Sequence, residues 1–222
     1  MKLLLIRHGQ TQSNLDRIID TAVPGASLTE LGHAESCALA AGLKTTPIDA
    51  IYASTQYRAQ QTAAHLAKAA GLPVEVRDGI REVDAGSLDL RSDEVSIQAY
   101  KATFMSWANG NLSCCNPGGE TGLEAFRRFN EVITEILASG VGTAALVSSG
   151  AMLRSWAGYY CQNINAQFVN ANSLPNTGVV EVCGNAKQGW VATRWTNGLV
   201  SQASAGVGLA ESGPAGEAQV SI

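Results

Sequence analysis

Apolar runs alternate with stretches of helical period along most of the chain. The first run, LLLI at residues 3–6, ends at once in Arg-His-Gly and reads as a short buried strand. Residues 29–44 repeat Leu31, Ala34, Ala38 and Ala41 at helical spacing behind Thr29 as N-cap, which predicts a helix. A strand is expected over 49–54. A helix is expected over 57–71, stopped by Gly71 with Pro73 beyond it, and then a short strand over 74–77. Helices are expected over 92–110 and 122–140, the second amphipathic and ended by a glycine. A second apolar strand, 144–148, leads into a helix over 151–161, and two late strands, 178–182 and 189–195, are expected to be neighbours. No internal repeat is visible. From about residue 199 the chain turns small, polar and Gly-rich. The expected organisation is one folded domain over 1–198 and a disordered tail over 199–222.

This alternation predicts an α/β fold, a three-layer αβα sandwich on a mainly parallel central sheet. Ligands of such sheets sit at the carboxyl ends of the strands. RHG, AST and SSG fall at those ends, which places Arg7, His8, Ser54 and Ser149 near one crevice.

Composition narrows the class. The 222 residues suit one sizeable core, and 45% hydrophobic with 15% charged residues is ordinary for a globular protein. A net charge of −4 with no Lys/Arg stripe argues against a nucleic-acid surface. No run approaches the length of a membrane span, and MKLLLI is interrupted too soon by Arg7 and His8 for a secretory leader, so the expected location is cytoplasmic. Five cysteines at irregular spacing argue against a disulfide framework. The adjacent Cys114 and Cys115 have no matching second pair, and three dispersed histidines make a poor metal cluster, so no metal or other cofactor is expected.

Two segments carry candidate chemistry. An arginine beside a histidine at a strand end is unusual after an apolar run. Arginine binds phosphate bidentately, and a neutral imidazole can attack phosphorus and carry the phosphoryl group. Arg58 lies in the first turn of the helix expected over 57–71. It opposes the helix dipole there and is more at home if an anion sits nearby.

Several segments resemble, in order, those of the histidine phosphatase superfamily, in the branch containing phosphoglycerate mutase-like phosphatases. LIRHGQTQSN resembles the family's opening signature, SLTELGHAES its LT-x-x-G-x-x-Q-A, and ASTQYRAQQTA its S-P-x-x-R-A-x-Q-T-A. IREVDAGSLD and NPGGETGLEAFRR resemble its R-E-x-x-x-G and P-G-G-E-S segments. The resemblance implies that His8 is the nucleophile and passes through a phosphohistidine. It implies that Arg7 and Arg58 clamp the phosphoryl oxygens, that Asn14 helps bind substrate or phosphate, and that Glu82 protonates the leaving alcohol.

The family also has a second histidine in V-S-H-G-G-x-x-R. This chain reads Val147-Ser148-Ser149-Gly150-Ala151-Met152-Leu153-Arg154, so Ser149 stands at the histidine position, with Gly150 beside it at the phosphate. Losing one preorganised donor costs roughly 10²–10³ in rate. Further departures are Thr55 for a proline and Asp89-Leu90 for a common Glu-Gly pair.

The function expected is therefore a phosphomonoesterase of reduced rate, acting on a small phosphorylated substrate. The competing reading is an inactive pseudo-phosphatase that binds a phosphorylated ligand or a protein partner. A phosphoglycerate mutase is disfavoured, because the stretch between Glu82 and Ser149 is short. A serine hydrolase is rejected, because Val147 and Ala151 occupy the glycine places of a nucleophile elbow. Substrate choice is expected to lie in the loops 15–27 and 84–117. The sequence is compatible with a monomer or a dimer.

Overall fold

The computed structural model describes residues 1–185, 187–196 and 198–200. The predicted tail beyond residue 200 lies outside the described residues. The elements are β1 (Lys2–Arg7), α1 (Gln12–Leu15), α2 (Glu30–Gly42), β2 (Ala50–Ala53), α3 (Tyr57–Ala70), β3 (Val74–Val76), α4 (Glu94–Ala108), α5 (Gly122–Ala138), β4 (Thr143–Ser148), α6 (Gly150–Tyr160), α7 (Ala166–Ala171), β5 (Val179–Asn185), β6 (Gly189–Trp195) and β7 (Gly198–Leu199). Single 3-10 turns lie at Asp78–Ile80 and Gly86–Leu88.

The strands form one sheet in the order β3-β2-β4-β1-β5-β6-β7. The half holding β3, β2, β4 and β1 is parallel, while β5, β6 and β7 run antiparallel. The expectation of a mainly parallel sheet thus holds for the half that carries the RHG and SSG segments. The other half differs because the link between β5 and β6 is far too short for a parallel crossover, so the pair forms a hairpin.

Alternation along the two central strands builds both interfaces of the sandwich. Leu3 and Leu5 of β1, with Ala144 and Leu146 of β4, face a core that includes Trp107, Phe126, Phe129 and Trp156 from α4, α5 and α6. Leu4 and Ile6, with Ala145 and Val147, face the other way onto Ala40, Ala59, Ala63 and Leu66 of α2 and α3. Helices cover both faces, so these strands are apolar at successive positions. The alanine-rich side lets α2 approach closely. A Cβ on Gly32 would run into the Gln10 carbonyl, and one on Gly9 would meet the Gly32 carbonyl. The start of α2 is therefore seated against the turn that follows His8.

Two helices fall outside the sequence expectations. α1 is a single turn held by a capping box between Thr11 and Asn14, and α7 has six residues behind Asn165 as N-cap. Both are too short to show a period.

Candidate active site

β1 and β4 end side by side, with Arg7 paired to Ser148, and their carboxyl ends open into a cavity of about 320 Å³. Arg7, His8, Asn14, Arg58, Glu82 and Gly150 all line it. Ser54 is fully buried and lies outside that lining.

His8 is buried. Its Nδ1 sits 2.7 Å from the Gly9 carbonyl, so Nδ1–H donates there and Nε2 keeps its lone pair. The backbone is held by its own N–H to Ser148 O and by Asn176 and Thr177 donating to its carbonyl. Burial, then Arg58, then Arg7, push the imidazole well below its usual 6.5. It is a neutral base at physiological pH.

The unfolded chain binds a proton at His8 below about 6.5 that the folded chain refuses until a lower pH. The group therefore withdraws stability as pH falls through 6.5 toward its folded value, and does nothing above. In phosphate-free buffer, the urea midpoint of His8→Asn is expected to fall less between pH 7 and pH 5 than that of the unaltered protein. Parallel slopes would show that the imidazole is not buried neutral.

Four guanidinium groups line the same cavity; Arg17 pairs outward with Glu94, and the other three each keep a buried N–H with no hydrogen-bond partner among the described residues: Arg7 Nε, Arg58 Nη1 and Arg154 Nε. Arg7 donates from Nη1 to Leu174 O at 2.7 Å, and burial lowers its ordinary value. Arg58 donates from Nη2 to Asp20 O, with Nη1 at 3.4 Å from the Asp20 carboxylate. Buried polar groups are almost always paired, so Arg7 Nε and Arg154 Nε open beside one hollow, with Arg58 Nη1 only at ion-pair distance from Asp20, form a surrounding that suits an anion. Asn14 accepts at Oδ1 from Thr11 N and Asn176 Nδ2, which leaves its amide N–H₂ for the cavity.

Glu82 accepts at Oε1 from Val83 N (2.9 Å) and Met152 N (2.8 Å), and at Oε2 from Ala151 N (3.2 Å). It thereby caps the start of α6 from another segment, satisfying amides that a helix N-terminus leaves open. Arg128 clamps the backbone behind it, donating to the carbonyls of Gly79, Arg81 and Glu82 while paired with Glu120.

Ser149 is the N-cap of α6 but makes no side-chain cap. Its hydroxyl is fully buried, 3.3 Å from Gln56 Oε1, and it does not line the cavity. Gln56 also accepts from Glu82 N and donates to Thr21 O and Ala22 O. The position at which the sequence placed a phosphate contact is thus turned toward a buried glutamine. Gly150 does face the cavity, close beside Arg7.

His33 and His65 contact one another at 3.1 Å between α2 and α3, with Cys37 3.1 Å from His65. Neither lines the cavity. Among the described residues, no group of three His, Cys, Asp or Glu side chains is placed to hold a metal ion. No described helix is long and apolar enough to cross a membrane. Trp107, in one of the expected substrate loops, is a core residue of α4, its indole donating to Cys114 O. Asp89 instead ties the two loops together, accepting from Thr21 N and Thr21 Oγ1 at 2.7 Å.

Sequence reasoning missed Arg154, Gln56, Asp20, Arg128 and Asn176. The Arg in V-S-S-G-A-M-L-R offered the one local signal, since it lies one helical turn beyond Gly150.

Residues 3–198 match the histidine phosphatase superfamily (branch 1). The chain is 32% identical over 215 residues to the PE-PGRS family protein PE_PGRS11 of Mycobacterium tuberculosis, covering 90% of this chain but only 37% of that protein. It is 25% identical over 154 residues to a putative phosphoserine phosphatase 2 of Hydrogenobacter thermophilus, covering 69% of this chain and 75% of the relative. A solved mycobacterial glucosyl-3-phosphoglycerate phosphatase in complex with VO3 superposes with a TM-score of 0.74 at 22% identity, over 88% of this chain and 98% of that one.

Proposed function

The chain belongs to branch 1 of the histidine phosphatase superfamily, and from its site we propose that it is a phosphomonoesterase working through a phosphohistidine on His8. The observation that carries this reading is the neutral, buried imidazole facing a cavity ringed by guanidinium N–H groups without partners. A relative named as a putative phosphoserine phosphatase supports the same class.

In this reading Arg7, Arg58 and the Asn14 amide hold the phosphoryl oxygens. Nε2 of His8 attacks phosphorus in line with the ester oxygen. The bond from phosphorus to that oxygen breaks, its electron pair passes to the alcohol, and Glu82 supplies the proton. Water then attacks the phosphohistidine, Glu82 takes a proton from it, and inorganic phosphate leaves with His8 restored. Oε2 of Glu82 is the oxygen for this work, because it holds a single, longer bond to Ala151 N.

The capping role of Glu82 and the inward turn of Ser149 favour a slow enzyme. At the limit they favour the second reading, a pocket that binds a phosphorylated ligand without turning it over. A metal-free rapid quench with an aryl phosphate separates the two. An acid-labile, base-stable phosphoenzyme that appears with the first turnover is expected. Vanadate and phosphate binding with neither phosphoenzyme nor product would leave only the binding pocket.

A further inference from the structure

Residues 174–178, in the link between α7 and β5, hold the end of β1. Leu174 O accepts from Arg7 Nη1 at 2.7 Å, Gly178 O accepts from Arg7 N at 3.0 Å, and Thr177 N donates to His8 O at 3.2 Å. Thr177 takes a left-handed backbone there, at φ 53°. The main chain on both sides of Asn176 is therefore tied to the two residues that open the site. The far side of the segment borders a separate cavity of about 480 Å³, lined by Pro175, Asn176, Thr177 and Gly178 with Leu39 and Leu43 of α2. Asn176 is half-buried beside that hollow, so hydrogen bonds rather than close packing set its side chain.

Those bonds allow one orientation. Nδ2 of Asn176 lies 3.1 Å from His8 O and 3.1 Å from Asn14 Oδ1. A main-chain carbonyl only accepts, so the NH₂ of Asn176 is the group that faces it, and its two hydrogens serve the two oxygens. Asn14 is oriented in the same way, because the main-chain N–H of Thr11 donates to its Oδ1 at 3.1 Å. With both lone pairs of Oδ1 used, the Asn14 NH₂ is left for the catalytic cavity, which Asn14 lines and Asn176 does not. Thr11 N alone is a single pivot about which that amide can swing. Asn176 supplies the second point and refers it to the carbonyl of His8.

We propose that Asn176 is a positioning residue, which acts through Asn14 by locking the Asn14 amide at the angle that meets a phosphoryl oxygen. The proposal rests on the phosphatase reading for what that amide binds. An amide set in advance loses little freedom when the ligand arrives, and one side chain then registers it against the strand end that carries the nucleophile. The fold does not depend on this contact, since Leu174, Thr177 and Gly178 keep the segment on β1 through main-chain groups.

The test is a double-variant cycle in kcat/KM on one aryl phosphate, with thermal melts alongside. Asn176→Leu, close in size but without a donor, is expected to lose roughly tenfold, the range for one hydrogen bond that orients a reacting group. Asn14→Ala is expected to lose at least as much. In the Asn14→Ala chain, Asn176→Leu is expected to cost less than about twofold, because the group it positions is gone. Asn176→Gln keeps the amide on a longer stem with the hollow behind it, and is expected to recover part of the loss, which a side chain needed only for packing would not do. Additive losses overturn the proposal. So do an Asn176→Leu chain as active as the unaltered one, and an Asn176→Gln chain as slow as Asn176→Leu. Should Asn176→Leu melt early, Asn176→Ala takes its place in the cycle. If the unaltered protein turns over no aryl phosphate, the phosphatase reading fails, and the same cycle read by calorimetry with inorganic phosphate still decides the positioning. Coupled losses of affinity at residues 14 and 176 support it, and independent ones overturn it.

Discussion

Replacing His8 with alanine is expected to take aryl phosphate turnover to background, about 10⁴-fold or more below the unaltered protein, as when an enzyme loses its covalent nucleophile. None of the groups that this reading sets around the phosphoryl group can take its place. Arg7, Arg58 and Arg154 are donors only, Asn14 is an amide, and Glu82 already shares both oxygens with backbone amides. The anion cradle survives the change, since Arg7 is held by Leu174 O and Arg58 by Asp20 rather than by the imidazole. Phosphate or vanadate binding to His8→Ala should therefore stay within about tenfold while turnover and phosphoenzyme vanish. Retention of a tenth of the activity would mean that another group, or water directly, attacks phosphorus. Loss of anion binding together with turnover would mean that the deletion disturbed the cradle, which a thermal melt in the presence of phosphate would reveal.

What the sequence made legible was the part of the site that depends on strand ends. LLLI and AALVS are short, fully buried and punctuated by Arg-His-Gly and Ser-Ser-Gly, so the two central strands and the crevice between them followed from periodicity and the α/β rule. Arg58 stood out by its awkward place in a first turn, but its phosphate role came from the resemblance. Glu82 was legible only through resemblance, because it stands in an irregular segment whose position is set by distant partners. Ser148 donates to Ile80 O, and Arg128 reaches across from α5 to three carbonyls.

What stayed hidden was which buried group each donor meets. A sequence reveals a serine at position 149 but not that its hydroxyl turns to Gln56, fixed in turn by carbonyls of the 21–22 loop. Nor does it reveal that the start of α6 is capped by Glu82 rather than by its own N-cap residue. Such pairings join residues between 34 and 93 positions apart, where no local period reports them. The rim has the same character. Arg17 and Leu90 adopt left-handed backbone at φ 56° and 61°, and Leu90 N donates to Ile19 O, joining the two loops. Strain of this kind is held by surrounding structure and leaves no residue-type signal outside glycine.

Restoring a histidine at position 149 is expected to accelerate turnover, but only once Gln56 yields. The Ser149 hydroxyl already lies 3.3 Å from Gln56 Oε1 in a fully buried spot, so an imidazole there meets the glutamine side chain before it reaches the phosphoryl group. Inserting that bulk alone would overpack the site by about 1–3 kcal/mol and push Gln56 off Glu82 N. Ser149→His by itself is therefore expected to melt lower and to gain little. Ser149→His with Gln56→Ala opens a path between Thr21 and Glu82, and the added donor is expected to raise kcat by roughly 10²–10³ over the unaltered protein. The two changes should be strongly non-additive, since Gln56→Ala alone strips Glu82 N and the Thr21 carbonyl of their partner and slows the enzyme. The four proteins of the cycle, assayed on one aryl phosphate with melts alongside, decide the matter. If the single and double variants gain equally, Gln56 moves aside freely and is no barrier. If neither gains while both stay folded, the transition state already has its donors from Arg7, Arg58 and Asn14, and the serine is not what limits the rate.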